Sequence, residues 1–289
     1  MCYESETEFE SKLIKCLVEE KGWKDGVLQY KTEKDLIQNW ANILYENNRG
    51  IDRLGDYPLT HGEMDLIIEQ IKMLRTPLKL NGFINGGSIQ ITRDNEADRH
   101  NFGKLISLDI FDRNEIAAGR TRYQIARQPI FQAKNDVYPS RRGDFCLLIN
   151  GMPLIHVELK KSGVPISEAE FQIQKYLSEG VFTGLFSLVQ IFVAMKPEDC
   201  VYFANPGTAD NFKSNLCFHW ADKYNKPIKA WGEIAERLLS IPMAHELIGF
   251  YTVADNTDGV LKVMRSYQYY AAHKISDRVE NMKWNDEDT

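Results

Sequence analysis

Cysteine is scarce in this sequence, and the few cysteines are far apart. The 289 residues contain five, and no two of them have the Cys-x-x-Cys spacing of a zinc site or a redox motif. The six histidines are equally dispersed, without a His-x3-His pair. These absences argue against a zinc site and a disulfide framework. They predict a protein of a reducing compartment such as the cytoplasm.

Long hydrophobic runs are also missing. The longest apolar stretch, Leu185 to Met195, is shorter than the roughly 20 residues that cross a bilayer as a helix. Charged residues interrupt the apolar positions from Glu4 to Lys24, so no secretory signal is visible. The sequence therefore predicts a cytoplasmic protein without membrane contact. Its length suits one large or two modest domains.

No excess of positive charge is present overall, since 41 acidic residues outnumber 35 basic ones and the net charge is −6. Between Arg113 and Arg142, however, seven basic residues stand against two acidic ones, which leaves a local charge of +5. Such a stretch suits a nucleic-acid backbone, and a solvated loop with chance charge is the alternative. A Gly-x-x-x-x-Gly-Lys-Ser/Thr loop is absent, so the sequence holds no complete nucleotide-driven motor.

The most informative stretch is a predicted hairpin. Phe145 to Ile149 and Leu154 to Leu159 are short apolar runs on either side of Asn150-Gly151. Both residues of that dipeptide tolerate positive φ, which favours a tight turn between two strands. The hairpin is expected to lie at the centre of the fold.

Charged residues flank these strands. Asp144 opens the first strand, and Glu158 and Lys160 close the second, on one face because side chains alternate. Carboxylates hold hard cations such as Mg²⁺ through oxygen, and a bound metal activates water and stabilises charge on a phosphate. A lysine can orient that water or neutralise the transition state. The pattern suits metal-assisted hydrolysis, and a half-exposed hairpin with ordinary surface charge is the alternative.

The register of the hairpin decides whether these residues meet. A two-residue loop at Asn150-Gly151 would pair Asp144 with Val157 and turn it away from Glu158. A three-residue loop ending at Met152 would pair Asp144 with Glu158 instead. A shared site therefore requires a longer turn, a β-bulge or a twisted entry to the first strand.

Asp144, the hairpin and Glu158-Leu159-Lys160 together resemble the PD-(D/E)xK nuclease signature, with Gly143 in place of the named proline. The resemblance implies an α/β, restriction-endonuclease-like fold, in which a mixed central sheet is flanked by helices. It implies that Asp144, Glu158 and Lys160 are catalytic and that the two carboxylates bind Mg²⁺, with Mn²⁺ as a substitute.

A predicted helix from Glu6 to Glu20 carries a more specific resemblance. Its run Glu8-Phe9-Glu10-x-x-Leu13-Ile14-x-x-Leu17 resembles the start of the restriction (R, motor) subunit of type I restriction enzymes. In that family a glutamate of the first helix often completes the nuclease site, which makes Glu10 the candidate third metal ligand. A solvent-facing charge is the common alternative for a helical glutamate.

Gln172 and Tyr176 lie four residues apart and share a helix face. Gln172-x-x-x-Tyr176 matches an extra motif of this nuclease branch and of recombination-exonuclease relatives, where the pair lies beside the carboxylates and the DNA backbone. Tyr176 packing in the core is the alternative. Phosphate contacts are predicted for the neighbouring Arg141, Arg142 and Lys161.

The C-terminal stretch resembles a different element. Arg265-x-Tyr267-Gln268 is similar to the adenine-sensing motif that opens superfamily 2 helicase motors, so Arg265 and Gln268 are nucleotide contacts of a full-length motor in this interpretation. An endonuclease domain is then expected at 1–258 and the beginning of a truncated motor at 259–289. A plain terminal helix is the alternative.

The resemblance implies the endonuclease domain of a type I R subunit, which cleaves double-stranded DNA with Mg²⁺ and without its own sequence readout. Specificity and methylation subunits are the implied partners, and ATP and S-adenosylmethionine act only in the full complex. Three alternatives remain. They are a recombination-type exonuclease, an inactive DNA-binding or assembly module, and a small-molecule hydrolase, which the basic stretch and the missing nucleophile elbow disfavour.

Hydrophobic periodicity predicts the other elements. Further helices are expected at 34–47, 62–74, 231–239 and 244–250, and strands at 88–91, 106–111, 122–131, 188–194 and 200–204. The rest of 78–104 is expected to form loops. Thr60 is the predicted N-cap of the 62–74 helix. Ser167-x-x-Glu170 predicts a capping box, with Gly180 ending that helix.

Overall fold

The computed structural model describes residues 5–132, 140–255 and 259–281 of the chain. Helices are α1 Glu6–Glu20, α2 Glu33–Asn47, α3 His61–Leu74, α4 Pro77–Asn85, α5 Ser167–Ser178, α6 Trp231–Arg237, α7 Met243–Gly249 and α8 Ser266–Glu280. Strands are β1 Val27–Gln29, β2 Ser88–Thr92, β3 Leu105–Asp109, β4 Tyr123–Arg127, β5 Ile130–Phe131, β6 Arg141–Arg142, β7 Phe145–Ile149, β8 Met152–Leu159, β9 Ile191–Lys196, β10 Asp199–Ala204, β11 Thr252–Asp255 and β12 Val260–Val263.

A six-stranded mixed sheet, in the order β1-β4-β7-β8-β9-β10, forms the centre of the fold. The β1–β4 and β8–β9 pairs are parallel, and the other neighbours are antiparallel. Every residue of β7 and β8 is buried, because structure covers both faces of the sheet, and apart from His156 and Glu158 these strands are apolar. The prediction of a mixed α/β sheet with a central hairpin is confirmed.

A β-bulge sets the register of that hairpin. Asn150 and Gly151 form a two-residue turn with φ values of 51° and 82°, so Ile149 pairs with Met152. Beyond Leu148 the pairing shifts, and Leu147 faces Ile155, which leaves Leu154 as the extra residue of β8. Phe145 then faces Val157, and continuing this register places Asp144 opposite Glu158. A two-residue turn alone would turn Asp144 away from Glu158. The turn together with the bulge places the two residues on one face of the hairpin.

Packing also fixes the turn. A Cβ atom on Gly151 would lie 2.9 Å from Cα of Trp40 in α2, and the positive φ of Gly151 strains any other residue. Trp40 is fully buried against the sheet. The hairpin is therefore clamped at its closed end, away from the charged residues at its open end.

Helix starts show where local signals succeed and fail. The α1 helix has the predicted bounds, and Thr60 caps α3 through a capping box with Glu63. The capping box predicted at Ser167 is wrong. Ile166 already has helical φ and ψ, and backbone carbonyls of Pro165 and Ile166 accept the first N–H groups of α5, so Ser167 lies inside the first turn. Gly180, with a φ of 68°, follows the end of α5 as predicted.

Three other predictions needed correction. The 78–104 segment begins with a helix, α4, which Thr76 caps and Pro77 starts. The strand predicted at 122–131 is divided, because Gln128 has a positive φ of 49°. The strand predicted from 188 begins at Ile191, after a short 3₁₀ turn at Gly184–Leu188.

The C-terminal segment packs onto the rest of the fold. Strands β11 and β12 form an antiparallel hairpin that crosses the predicted domain boundary at 258/259. The Tyr202 hydroxyl in β10 donates to the Met264 carbonyl at 2.9 Å, and the Tyr269 and Trp220 rings lie 5.6 Å apart. The two-domain division stays a prediction, and residues 282–289 of the second part lie outside the described residues.

Candidate active site

Asp144 and Glu158 lie side by side at the open end of the hairpin. Asp144 occupies the bend before β7, where the Leu159 backbone N–H donates to its Oδ2 at 2.6 Å. Glu158, near the end of β8, is only 1% exposed. The bulge and the backbone bond together bring the two sequence-predicted carboxyl groups to one place.

The electrostatics of this pair favour a bound cation. Burial raises the pKa of Asp144 well above its ordinary value, and the neighbouring Glu158 charge raises it further. Burial also raises the pKa of Glu158 to about 8, although the Lys160 charge opposes this. Without a cation Glu158 therefore retains its proton near neutral pH, and the raised pKa of Asp144 likewise disfavours its charged form, whereas a divalent cation would stabilise both groups as carboxylates.

Lys160 extends from the end of β8 towards α5. Its Nζ donates to Gln172 Oε1 at 2.8 Å and to the Leu159 carbonyl at 2.9 Å. The Glu6 carboxylate at the start of α1 lies 3.7 Å from the same nitrogen. An ammonium group has three N–H donors, so two are committed and one is left for a further acceptor.

The Gln172–Tyr176 pair supports the lysine. Gln172 Nε2 donates to the Tyr176 hydroxyl oxygen at 2.8 Å, and the Tyr176 hydroxyl donates to the Arg142 carbonyl at 3.1 Å. A chain of hydrogen bonds thus runs from Lys160 through α5 to the backbone just before Asp144. Tyr176 is also buried against the Phe131 ring, so it both packs and bonds.

Glu10 is buried in α1, with 2% of its surface exposed. Arg127 Nη2 and Gln128 Nε2 donate to its Oε2 at 2.9 and 3.0 Å. Its Oε1 is buried without a hydrogen-bond partner in the structure described. The Glu10 charge contributes to the raised pKa of Asp144, so the two groups share an electrostatic environment.

Within residues 5–132, 140–255 and 259–281, no three His, Cys, Asp or Glu side chains are grouped so that they could hold a metal ion. The carboxyl groups of Asp144 and Glu158 still fit Mg²⁺, which commonly keeps several waters and takes only one or two carboxylates from a protein. The unpartnered Oε1 of Glu10 is a further oxygen donor suited to a hard cation. The assignment of Glu10 as a ligand stays a prediction.

His156 lies two residues before Glu158 in β8 and therefore shares the face of the strand on which Glu158 lies. Its ring is fully buried, with Nε2 3.1 Å from Glu158 Oε2 and Nδ1 3.4 Å from Cys146 Sγ. Burial lowers the pKa of His156 to about 4, so the imidazole is neutral. Sequence reasoning missed Cys146, although the hairpin register places it directly opposite His156.

The three residues predicted to contact DNA differ in exposure and in ion pairing. Arg141 makes a two-pronged ion pair with Glu179, at 2.7 Å for each nitrogen, which raises the pKa of Arg141. Arg142 is exposed, with its guanidinium 5.9 Å from the Tyr30 ring centre, and Lys161 is exposed. Lys134 of the basic stretch lies outside the described residues.

Arg265 and Gln268 lie away from the carboxyl pair, at the start of α8. The Arg265 backbone N–H donates to Gln268 Oε1 at 2.9 Å, and the Arg265 guanidinium lies 4.4 Å from the Phe218 ring centre. Both residues line a cavity of about 320 Å³ with apolar walls. Their role in nucleotide binding stays a prediction.

A mixed sheet with a carboxyl pair and a lysine at the end of its central hairpin is the arrangement expected of a restriction-endonuclease-like domain. The family described as type I restriction enzyme R protein N terminus matches residues 3–211, so the chain belongs to that family. The matched range contains all the residues of the carboxyl and lysine site, whereas Arg265 and Gln268 lie beyond it.

Relatives in two bacterial groups agree with this assignment. The chain is 30% identical over 275 residues to the endonuclease subunit of type I restriction enzyme SauCOLORF180P of Staphylococcus aureus (strain COL). The identity is also 30% over 275 residues to the SsaAORF53P subunit of Staphylococcus saprophyticus, and 31% over 181 residues to the EcoprrI subunit of Escherichia coli. These alignments cover 95%, 95% and 62% of the chain, but 27%, 27% and 56% of the relatives.

The chain thus spans about a quarter of the length of the staphylococcal relatives. None of the helices in the described ranges combines the length and the apolar character needed to cross a bilayer.

Proposed function

We propose that this chain is the Mg²⁺-dependent endonuclease domain of a type I restriction R subunit and hydrolyses phosphodiester bonds in double-stranded DNA. The observation that carries the proposal is the pair formed by the half-buried Asp144 and the buried Glu158, with Lys160 held beside it. Family membership supports a restriction-enzyme role, and this pair supplies the chemistry of a PD-(D/E)xK site.

Asp144 and Glu158 would hold the cation, with Glu10 Oε1 as a further donor. A bound Mg²⁺ supplies an activated water and stabilises negative charge on the phosphate. Lys160 has two N–H groups anchored on Gln172 and Leu159, so its third donor is directed by the protein. That donor orients the attacking water or binds a phosphate oxygen, and the positive charge offsets charge in the transition state.

DNA engagement is proposed to involve the exposed side chains beside this site. Arg142 and Lys161 are exposed on either side of the hairpin end, whereas the Arg141 charge is already paired with Glu179. Arg142 and Lys161 would contact phosphates, so binding would weaken as salt increases. We expect Arg141 to contribute less than its position in the sequence suggests.

The wider assembly is also part of the proposal. The relatives are much longer than this chain. The whole subunit would therefore combine this domain with an ATP-driven motor, and Arg265 and Gln268 would belong to the first part of that motor. Specificity and methylation subunits would recognise the DNA site, with S-adenosylmethionine used only in that complex. The assembly would act in the cytoplasm.

Cleavage of a closed circular plasmid tests the function directly. In the full-length subunit with its partners, we expect Asp144→Asn to lower Mg²⁺-dependent cleavage by about 100-fold or more, because it removes a charged oxygen ligand. The matched change Asp52→Asn, on an exposed residue, should leave the rate unchanged.

The same assay separates the alternatives. A closed circle has no ends, so cleavage only after linearisation would indicate a recombination-type exonuclease. Tight DNA binding without cleavage or Mg²⁺ binding would indicate an assembly module. Wild-type cleavage by Asp144→Asn would contradict the proposed site.

Gln172→Ala should separate lysine orientation from metal binding. The change removes the amide that anchors Lys160 Nζ, so we expect cleavage to fall by about tenfold or more while Mn²⁺ affinity is retained. Gln174→Ala, on the same helix, is the matched control. Equal losses of cleavage in both variants, or a loss of Mn²⁺ binding in Gln172→Ala alone, would refute this role.

A further inference from the structure

His156 lies in the middle of a buried chain of polar groups that leads to Glu158. Cys146 and His156 face each other across β7 and β8, with Sγ 3.4 Å from Nδ1. On the other side of the ring, Nε2 lies 3.1 Å from Glu158 Oε2. All three side chains are almost fully inaccessible to water, so these contacts have no competitor from solvent.

Aromatic side chains hold the imidazole in place. The rings of Phe131, Phe182, Phe192 and Tyr176 lie with their centres 5.3 to 6.3 Å from that of His156, at steep angles. Such edge-to-face contacts on several sides leave the ring little freedom to turn.

Gly143 closes the remaining side of this ring. A Cβ atom at position 143 would lie 2.7 Å from His156 Cε1 and 2.7 Å from Phe131 Cε2. Gly143 does not have a positive φ, so space rather than backbone conformation requires glycine here. The residue that replaces the proline named in the nuclease motif is thus the one that makes room for a histidine against Glu158.

We propose that His156 is a positioning residue that holds Glu158 in its metal-binding orientation, and that Cys146 fixes which ring nitrogen carries the proton. The inference rests on the proposed metal-dependent function.

The donor and acceptor capacities of Cys146, His156 and Glu158 determine which group donates each hydrogen bond. A neutral imidazole has one donor and one acceptor nitrogen, and a metal-bound carboxylate can only accept. Nε2–H therefore donates to Glu158 Oε2, and the Cys146 S–H donates to Nδ1, as the network requires. Outer hydrogen bonds of this kind orient ligating carboxylates and strongly affect metal affinity.

A purely space-filling role for His156 makes a different prediction, and two substitutions of similar size separate the roles. His156→Gln retains an amide N–H at the end of the side chain, near the position of Nε2. His156→Met has a comparable length and volume but no donor. If the hydrogen bond matters, the two variants will differ in metal binding, whereas a space-filling role predicts that they behave alike.

Calorimetric titration of the chain with Mn²⁺ measures this difference. We expect His156→Gln to bind within about threefold of wild type and His156→Met to bind about 10- to 100-fold more weakly. Thermal unfolding of both variants shows whether each is folded. Equal Mn²⁺ affinity of the folded Gln and Met variants would overturn the proposal.

A second pair keeps the test decisive if His156→Met does not fold. Cys146→Ser retains a donor to Nδ1 and Cys146→Ala removes it, so Ser is expected to bind Mn²⁺ several-fold more tightly than Ala. Equal binding by these two variants would then overturn the proposal.

Asp144→Ala separates the proposed metal-dependent function from the proposed role of His156. Absence of Mn²⁺ binding by wild type would overturn the proposed function together with the role of His156. A different outcome would overturn the role of His156 alone. In that outcome wild type binds Mn²⁺ and Asp144→Ala does not, but His156→Gln and His156→Met bind it equally well.

Discussion

Lys160→Ala is expected to lose DNA cleavage while retaining metal binding, and Asp144→Ala is expected to lose both. Lys160 supplies a charged donor without ligating the cation, so its removal should lower cleavage by about 100- to 1,000-fold. Mn²⁺ should bind at least as tightly, because a neighbouring positive charge is removed. Asp144→Ala removes an oxygen ligand and should weaken binding itself.

The measurement combines Mn²⁺ calorimetry of the two variants with plasmid cleavage by the full-length subunit in its complex. Lys24→Ala, which changes an exposed lysine of the same domain, is the control for general charge effects. Loss of metal binding by Lys160→Ala, together with its retention by Asp144→Ala, would show that the two roles are assigned the wrong way round.

Without divalent cations, the chain is expected to become less stable as the pH rises from about 6.5 to 8. Burial raises the pKa of Glu158 to about 8 from 4.5, so the folded state holds a proton here that the unfolded state has released. A folded state that binds more protons loses stability as pH increases, by about 1–2 kcal/mol across this window. The raised pKa of Asp144 acts in the same direction.

The window begins at pH 6.5 because, at lower pH, two histidines have the opposite effect on the stability of the folded state. Burial lowers the pKa of both His156 and His245 to about 4 from 6.5, so between pH 4 and 6.5 the unfolded state binds more protons at these sites. Stability contributed by these groups rises with pH in that range. Above it their effect diminishes over about one pH unit, as the unfolded histidines lose their remaining protons, which leaves the carboxyl groups to dominate.

Urea unfolding across the window, compared with Glu158→Gln, isolates the contribution of Glu158. Glutamine does not titrate, so the decrease in unfolding free energy should be much smaller in that variant. Saturating Mg²⁺ should also reduce the decrease, because a cation stabilises the ionised carboxylates. An identical pH dependence in wild type and Glu158→Gln would contradict the raised pKa of Glu158.

The hairpin could be predicted from sequence because its signals are local. Asn150-Gly151 marks the turn, and Asp144, Glu158 and Lys160 stand at fixed spacings from it. The position of the bulge at Leu154 could not be predicted, because the strand is buried and apolar throughout from Met152 to Ile155, so no polar residue there marks which face a side chain takes. An extra residue in such a strand leaves no trace in the hydrophobic pattern.

Charge was harder to interpret than hydrophobic pattern. Arg122, Arg127 and Arg141 give the sequence a basic stretch, yet in the fold they pair with acids from distant segments, Asp25, Glu10 and Glu179. Electrostatic balance depends on neighbours in space, which the order of residues does not reveal. The buried hydrogen bonds of His156 could not be predicted from the sequence either, since they depend on the register that the bulge creates.

Because of the bulge, the two carboxyl groups share a face only when the number of residues between them is odd. Thirteen residues separate Asp144 from Glu158, an odd number that a two-residue turn between evenly matched strands cannot produce. Lengthening both strands by one residue would keep the carboxyl groups on a common face, whereas one insertion in a single strand would turn one of them over. Insertions and deletions in this hairpin should therefore be tolerated in steps of two, and a single-residue change should require a second that restores the parity.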